Sequence, residues 1–267
     1  MNLSERNLMY EKIETSKRLI PNLPIIIRLD GRSFHTFTSD LDRPDSNLTS
    51  IMIEVTKYLV QETNAKIGYT QSDEITLILF SDNIDSQTFF DRKYYKLLSI
   101  TASLATAKFN NLVMEYLPNK IRELAIFDCR VYNVPSKEDA INVLLWRESD
   151  ATRNSISMLA QDNFSHRELQ NKSTLAILEM LYNKRIYWYK DYPTSFKRGT
   201  YIYKKISIRK FTQDELETLP ELHNARSNPD LEIERSDVII LDIPPISEVS
   251  NMVDVVFNGS TPITRIS

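Results

Sequence analysis

The stretch Pro24-Ile25-Ile26-Ile27-Arg28-Leu29-Asp30-Gly31 decides how the rest of the chain is read. Three consecutive isoleucines behind a proline favour an extended backbone, and a short apolar run bounded by turn residues predicts a buried strand. Working outward, Pro44-Asp45-Ser46 reads as a helix start, with Leu48, Ile51, Met52, Val55 and Leu59 following at helical spacing. Lys66 to Tyr69 and Ile75 to Phe80 read as two strands joined by the tight polar turn Gln71-Ser72-Asp73-Glu74. From about residue 86 to Tyr116 a long amphipathic pattern carries Phe90, Tyr94, Leu97, Thr101, Leu104, Lys108 and Leu112. Ser99, Ala102, Ser103 and Ala105 are the small residues expected to let that helix close on a sheet. Ala125 to Val134 sets Phe127, Cys129 and Val131 against Asp128, Arg130 and Tyr132, a strand with one wetter face. Ser136-Lys137-Glu138-Asp139 resembles a capping box and opens a further helix. The order strand, helix, strand, strand, helix, strand is the ferredoxin-like split βαβ arrangement of the α/β (α+β) class.

That sheet is expected to occupy residues 1–150, with a polar helix or arm from Met1 to Leu19 in front of it. Residues 151–267 are read as an extension packed on it. Asp150 to Gln161 and Lys172 to Arg185 are helical there, Ile186 to Lys210 forms a hairpin around Lys197-Arg198-Gly199, and Ile246 to Phe257 adds a last element after Pro244-Pro245.

The 267 residues carry 33 Lys and Arg against 36 Asp and Glu, which excludes a globally basic nucleic-acid binder but leaves room for a local basic patch. One cysteine, Cys129, excludes a disulfide framework and cysteine-based zinc sites, and is expected to be a core residue. With three histidines, any metal is expected to be a hard cation held by oxygen. Four glycines allow neither a P-loop nor a dinucleotide fingerprint. The charged N-terminus is no signal peptide, and no apolar run reaches the ~18 residues of a membrane span. A cytoplasmic protein without membrane contact is expected.

In a split βαβ sheet the first and third strands are antiparallel neighbours. The end of the first therefore lies beside the start of the third, which brings Asp30 to Asp73. Two carboxylates at one sheet edge repel unless a divalent cation sits between them. Mg²⁺ takes one or two carboxylates, a carbonyl and phosphate oxygens, the layout of two-metal phosphoryl or nucleotidyl transfer. Gly31 would let the backbone approach a phosphate or give a carbonyl to the metal. On residue types alone, Asp30-Gly31 reads sooner as a turn and Asp73 as a hairpin cap, both being common turn residues.

PIIIRLDGRSFHTFT (residues 24–38), followed by GYTQSDEITLIL (68–79), resembles the paired signature of the histidine-tRNA guanylyltransferase family. FDCRVYNVPSKEDAINVLLWRESDATRN (127–154) and FKRGTYIYKK (196–205) resemble two later blocks of the same family. The resemblance implies a polymerase-palm fold for residues 1–150 and nucleotide addition at the 5′ end of tRNA. ATP adenylylates a 5′-monophosphate, the 3′-hydroxyl of GTP displaces AMP, and pyrophosphate is removed last. It implies that Asp30, Asp73 and the Gly31 carbonyl hold two Mg²⁺ ions. It places Arg32, Ser33, Phe34, His35 and Ser72, together with Asp30, Gly31 and Asp73, around the nucleotide. Glu74 orients the second ligand in the catalytic set, Arg43 stands where the family has a triphosphate lysine, and Asn154 survives from the family's HINNLYN stretch, which here reads Thr152 to Met158. That departure points toward the looser guanylyltransferase-like members, which repair truncated 5′ ends of various tRNAs by templated addition. Family members are often tetramers, so a homo-tetramer or homo-dimer is expected.

From Lys184 to Lys210 nine basic residues interleave with seven aromatics and a single acid, Asp191. Lys197, Arg198, Lys204 and Lys205 are the candidate tRNA contacts, since cations neutralise phosphates and rings stack bases. A half-buried hairpin with its aromatics inward would show the same alternation. Trp146 is expected to be a core anchor. Two rival readings use the same residues: a palm-type nucleotide cyclase, and a non-catalytic tRNA-binding protein on a decayed palm.

Overall fold

The computed structural model describes residues 1–83, 88–228 and 230–265. Among them, one antiparallel sheet of six strands runs in the order β4-β1-β3-β2-β5-β6. The strands are β1 (Ile25–Gly31), β2 (Ile67–Gln71), β3 (Glu74–Leu79), β4 (Phe127–Asn133), β5 (Thr200–Lys210) and β6 (Glu232–Leu241). The first four have the split βαβ order expected from the sequence.

β1 lies between β3 and β4, so both of its edges are paired, and its isoleucines meet an apolar core on each face, so they need no polar alternation. Ile25, Ile27 and Leu29 point to a core shared with helices Ser46–Thr63 and Tyr94–Tyr116. Ile26 points to a second core under helix Lys137–Asn163 and the C-terminal segment, whereas Arg28 and Asp30 share its face but lie toward the open end of the sheet. Helix Ser46–Thr63 begins where the sequence places it: Asp45 is its N-cap and accepts the Leu48 amide at 2.7 Å. It presents Ile51, Met52, Val55, Leu59 and Val60 to the sheet. Gly68 lets it come close, because a Cβ there would lie 2.7 Å from Thr56 and 2.8 Å from Val60.

The second long helix, Tyr94–Tyr116, buries Leu97, Thr101, Ala105, Phe109 and Leu112. Of the expected stripe, Leu97, Thr101 and Leu112 are buried and Tyr94 and Leu104 pack against the same core, whereas Ser99 and Ser103 face solvent instead of the sheet. The part of that pattern at residues 86 and 87 lies outside the described residues.

Two differences follow from tertiary packing. Residue 150, the expected domain boundary, falls inside the unbroken helix Lys137–Asn163, and β5 and β6 beyond it extend the same sheet. Nor is Ile186 to Lys210 a hairpin. It forms short helices at Trp188–Asp191 and Thr194–Arg198, then enters β5 through Gly199 at φ 81°, and the partner of β5 is β6. Trp188, Phe196 and Tyr201 are buried, which is what an aromatic-rich pattern does when its rings face a core. Of the described helices none is long and apolar enough to cross a membrane.

Candidate active site

The β1–β3 ladder pairs Asp30 with Glu74, and the Gly31 amide donates to the Asp73 carbonyl at 3.1 Å. Asp73 sits in the turn between β2 and β3, where Ser72 takes a left-handed φ of 53°. The sheet thus brings together the two aspartates that lie 43 residues apart in sequence.

Their electrostatics are those of crowded acids. Burial, then the charge of Asp30, pushes the Asp73 carboxyl up to about 6, against the pull of its own amide and the Ser72 hydroxyl. Asp30 is also raised, first by burial and then by Glu74 and Asp128; Arg130 and Arg28 oppose this. Arg130 lies 3.7 Å from Asp30 and 3.6 Å from Asp128. Among the described residues no three His, Cys, Asp or Glu side chains gather into a ligand shell. The donors present are two carboxylates and a backbone carbonyl, all hard oxygens. They fit Mg²⁺, which completes its shell with water and phosphate.

Glu74 does not orient the Asp73 carboxylate. Its own carboxylate is held by Arg28 at 2.9 Å and by Arg147 of the long helix. Arg147 reaches on to Asp150 at 3.1 Å. Glu148, beside it, accepts from Tyr201 at 2.8 Å and from the Ile246 amide at 3.1 Å, and faces Arg198 at 3.6 Å. The sequence reading missed Arg28, Arg147 and Glu148. Their signal was present: Arg147 and Glu148 fall in the buried stripe Ala140, Leu144, Ala151, Ser155, and charges at core positions imply partners.

The loop after β1 divides by side chain. Arg32, Ser33 and His35 are exposed. Phe34, assigned to the nucleotide from the sequence, is only 4% exposed and packs against Phe37, Phe109 and Phe127 at centroid distances of 5.4, 5.3 and 5.1 Å. Its ring anchors the loop and leaves nucleotide contact to its neighbours. Gly31 makes room for it, since a Cβ there would lie 2.2 Å from the ring. Gly31→Ala is expected to destabilise the fold by roughly 1–3 kcal/mol. Phe34→Leu in the same chain should restore part of that loss in a thermal melt.

A small open cleft lies on the β2 side of the aspartates. Its walls include Thr38, Arg43, Asp45, Ser72, Met158 and Phe196. Asn154 is exposed one helical turn before Met158 and one after Asp150, on the helix face that leads to the pocket. The four proposed tRNA cations do not form one surface. The Lys197 ammonium donates to the Tyr189 carbonyl at 2.6 Å and Arg198 faces Glu148. Lys204 donates to Asn64, and Lys205 stands on the opposite face of β5 across from Asp237. Lys197 and Arg198 are joints of the fold, because each of their charges already has a buried or backbone partner.

A ferredoxin-like palm with paired carboxylates at one end and a cleft beside them is the layout of a nucleotidyltransferase. The family model for tRNAHis guanylyltransferase matches residues 8–135. A bacterial tRNAHis guanylyltransferase-like protein, solved with ATP, is 38% identical with a TM-score of 0.72, over 76% of this chain and 89% of that one. A second such bacterial structure, solved with GTP, is 31% identical with a TM-score of 0.67, over 92% and 94%. The tRNAHis guanylyltransferase of Saccharomyces cerevisiae is 26% identical over 74% of this chain and 89% of its own length. The chain belongs to the tRNAHis guanylyltransferase family.

Proposed function

We propose that the protein adds nucleotides to the 5′ end of tRNA through an adenylylated 5′ phosphate. A 5′-phosphate oxygen attacks the α-phosphorus of ATP and pyrophosphate leaves. The 3′-hydroxyl of GTP then attacks the activated 5′ phosphate and AMP leaves; removal of pyrophosphate from the new end follows. The observation that carries this reading is the convergence of Asp30 and Asp73 at one end of the sheet, beside an open cleft. The ATP and GTP complexes of the two bacterial relatives support the choice of nucleotides.

In this reading the pocket seats the base, with Arg43 at its wall for the phosphates and Ser72 linking the pocket to Asp73. Arg32 and His35 lie free on the loop for the same phosphates and sugar. Asp30, Asp73 and the Gly31 carbonyl are the residues that would hold Mg²⁺, which when bound supplies Lewis-acid polarisation of phosphoryl oxygens. The reading is not restricted to histidine tRNA, since Thr152 to Met158 keeps only Asn154 of the family's HINNLYN stretch. The test is incubation with labelled 5′-monophosphorylated tRNAs, full-length and truncated, with ATP, Mg²⁺ and each other nucleoside triphosphate in turn. A product longer by one or more nucleotides at the 5′ end is expected; a released cyclic nucleotide would select the cyclase reading.

We place the activity in the cytoplasm, in a homo-tetramer or homo-dimer. The assembly is supported by the N-terminal helix Leu3–Thr15, which buries none of its residues and leaves Leu3, Leu8, Met9, Tyr10 and Ile13 exposed. A helix of that length is marginal alone in water. Sedimentation velocity should give a mass at least twice the chain's 31.1 kDa, and a monomer would remove this assembly.

A further inference from the structure

Trp146 is not the core anchor that its size suggests. It is 48% exposed, on the helix Lys137–Asn163 whose Arg147 reaches Glu74 of β3. Its ring is flanked by two guanidiniums, Arg28 at 5.3 Å and Arg147 at 4.7 Å from the centroid. Both are pinned through Glu74, so the indole is held in place from behind while part of it stays open. Arg28 is two residues before Asp30 on the same strand face. Arg130 faces Arg28 in the β1–β4 register and lies 3.7 Å from Asp30. The pocket lies on the β2 side of the aspartates and is lined by neither Trp146 nor Arg130; Arg130 is on β4 and the Trp146 ring rests on Arg28 of β1.

We propose that Trp146 is the stacking platform for a second nucleobase, whose phosphate reaches the aspartates past Arg130. The inference rests on the proposed transfer, which needs two nucleotide-bearing groups at one carboxylate pair, of which the cleft at Arg43 and Ser72 seats one. A half-exposed indole backed by fixed cations offers a flat face with little ordering cost, and base–aromatic stacking contributes ~1–3 kcal/mol per base. Arg130 is itself half exposed, so its guanidinium is available to a phosphate. The base belongs either to the activating nucleoside triphosphate or to the 5′-terminal nucleotide of the RNA. Both present the same chemistry, a flat ring with a phosphate one sugar away.

The chain holds only two tryptophans, and the other, Trp188, is 6% exposed with its Nε1 donating to Ser155 at 3.1 Å. Intrinsic fluorescence therefore reports on Trp146 at equilibrium, without turnover. The experiment titrates the wild type, Trp146→Ala and Trp146→Phe separately with ATP, GTP and a 5′-monophosphorylated tRNA. Binding is also followed with labelled ligands. Saturable quenching by ATP or by the tRNA is expected in the wild type, absent from both variants. Trp146→Ala should weaken that one ligand by roughly 5- to 100-fold, with Trp146→Phe in between and GTP affinity unchanged. Quenching by ATP alone identifies the triphosphate as the source; quenching by tRNA alone identifies the RNA end. No quenching by either, or equal affinities in wild type and Trp146→Ala, overturns the platform. If quenching occurs but no tRNA is extended, the platform stands and the transfer reading falls; extension without quenching is the reverse.

Discussion

Asp73→Asn is expected to abolish nucleotide transfer, by at least about 10³-fold, while raising the melting temperature of the metal-free protein at pH 7. Both effects have one cause. The folded Asp73 carboxyl titrates at about 6 against an ordinary value of 3.8. The native state therefore holds its proton more tightly than the unfolded chain does. Between about pH 4 and pH 6 the native state binds more protons, so stability falls as pH rises through that window and stays at its reduced level above it. About two pKa units correspond to ~3 kcal/mol at most, and roughly 1–2 kcal/mol remain after discounting for the water that reaches a partly exposed carboxylate. Asparagine removes the charge and with it the penalty. For a chain of this size the gain should be roughly 2–8 °C at pH 7 and near zero below pH 4.

The same substitution separates a metal site from a hairpin cap. A divalent ion bound between Asp30 and Asp73 stabilises the native state by mass action. Millimolar Mg²⁺ should therefore raise the melting temperature of the wild type, but not of Asp73→Asn. Asp30→Ala should lose transfer equally. Near-normal turnover in either variant, or equal Mg²⁺ shifts in wild type and Asp73→Asn, would sink the assignment of these aspartates.

The carboxylate pair was legible in the sequence because two strong rules meet there. Alternation and turn chemistry fix which residues are strands, and the split βαβ order fixes which strands are neighbours. What escaped was settled by burial. Aromatic and basic residues alternate from Tyr187 to Lys205 both in a solvated RNA-binding hairpin and in a segment with its rings inward. The tilted packing of Tyr69 against Tyr201 at 5.0 Å, with Gly199 seated against the Tyr69 ring, shows which one formed. Residue type likewise suggests surface for a charge even where helical spacing puts it in the buried stripe. Arg147 and Glu148 look like an ordinary wet patch until Glu74 and Tyr201, from distant strands, arrive as their partners. Trp146 erred in the opposite direction, since a large apolar ring suggests a core and only its two guanidinium neighbours show a surface role.

Glu74 was assigned to the chemistry from the sequence, and its contacts turn that assignment into a stability test. Its carboxylate is the shared counter-ion of Arg28 and Arg147, whose side chains are 15% and 5% exposed. Removing one partner of such a pair leaves charge buried without compensation, which costs ~3–5 kcal/mol. Arg147 keeps Asp150 at 3.1 Å, so Glu74→Ala should cost about 3 kcal/mol, a fall of roughly 6–12 °C in melting temperature. The penalty of Arg147→Met should shrink by at least ~1 kcal/mol when Glu74 is already alanine, because the two report on one interaction. Glu74→Gln keeps an acceptor for one guanidinium. Below its own melting point it should retain measurable transfer, which Asp73→Asn should not. A Glu74→Gln protein that melted like the wild type but transferred nothing would return Glu74 to the reacting groups. In that case the two arginines would not need it to stay buried.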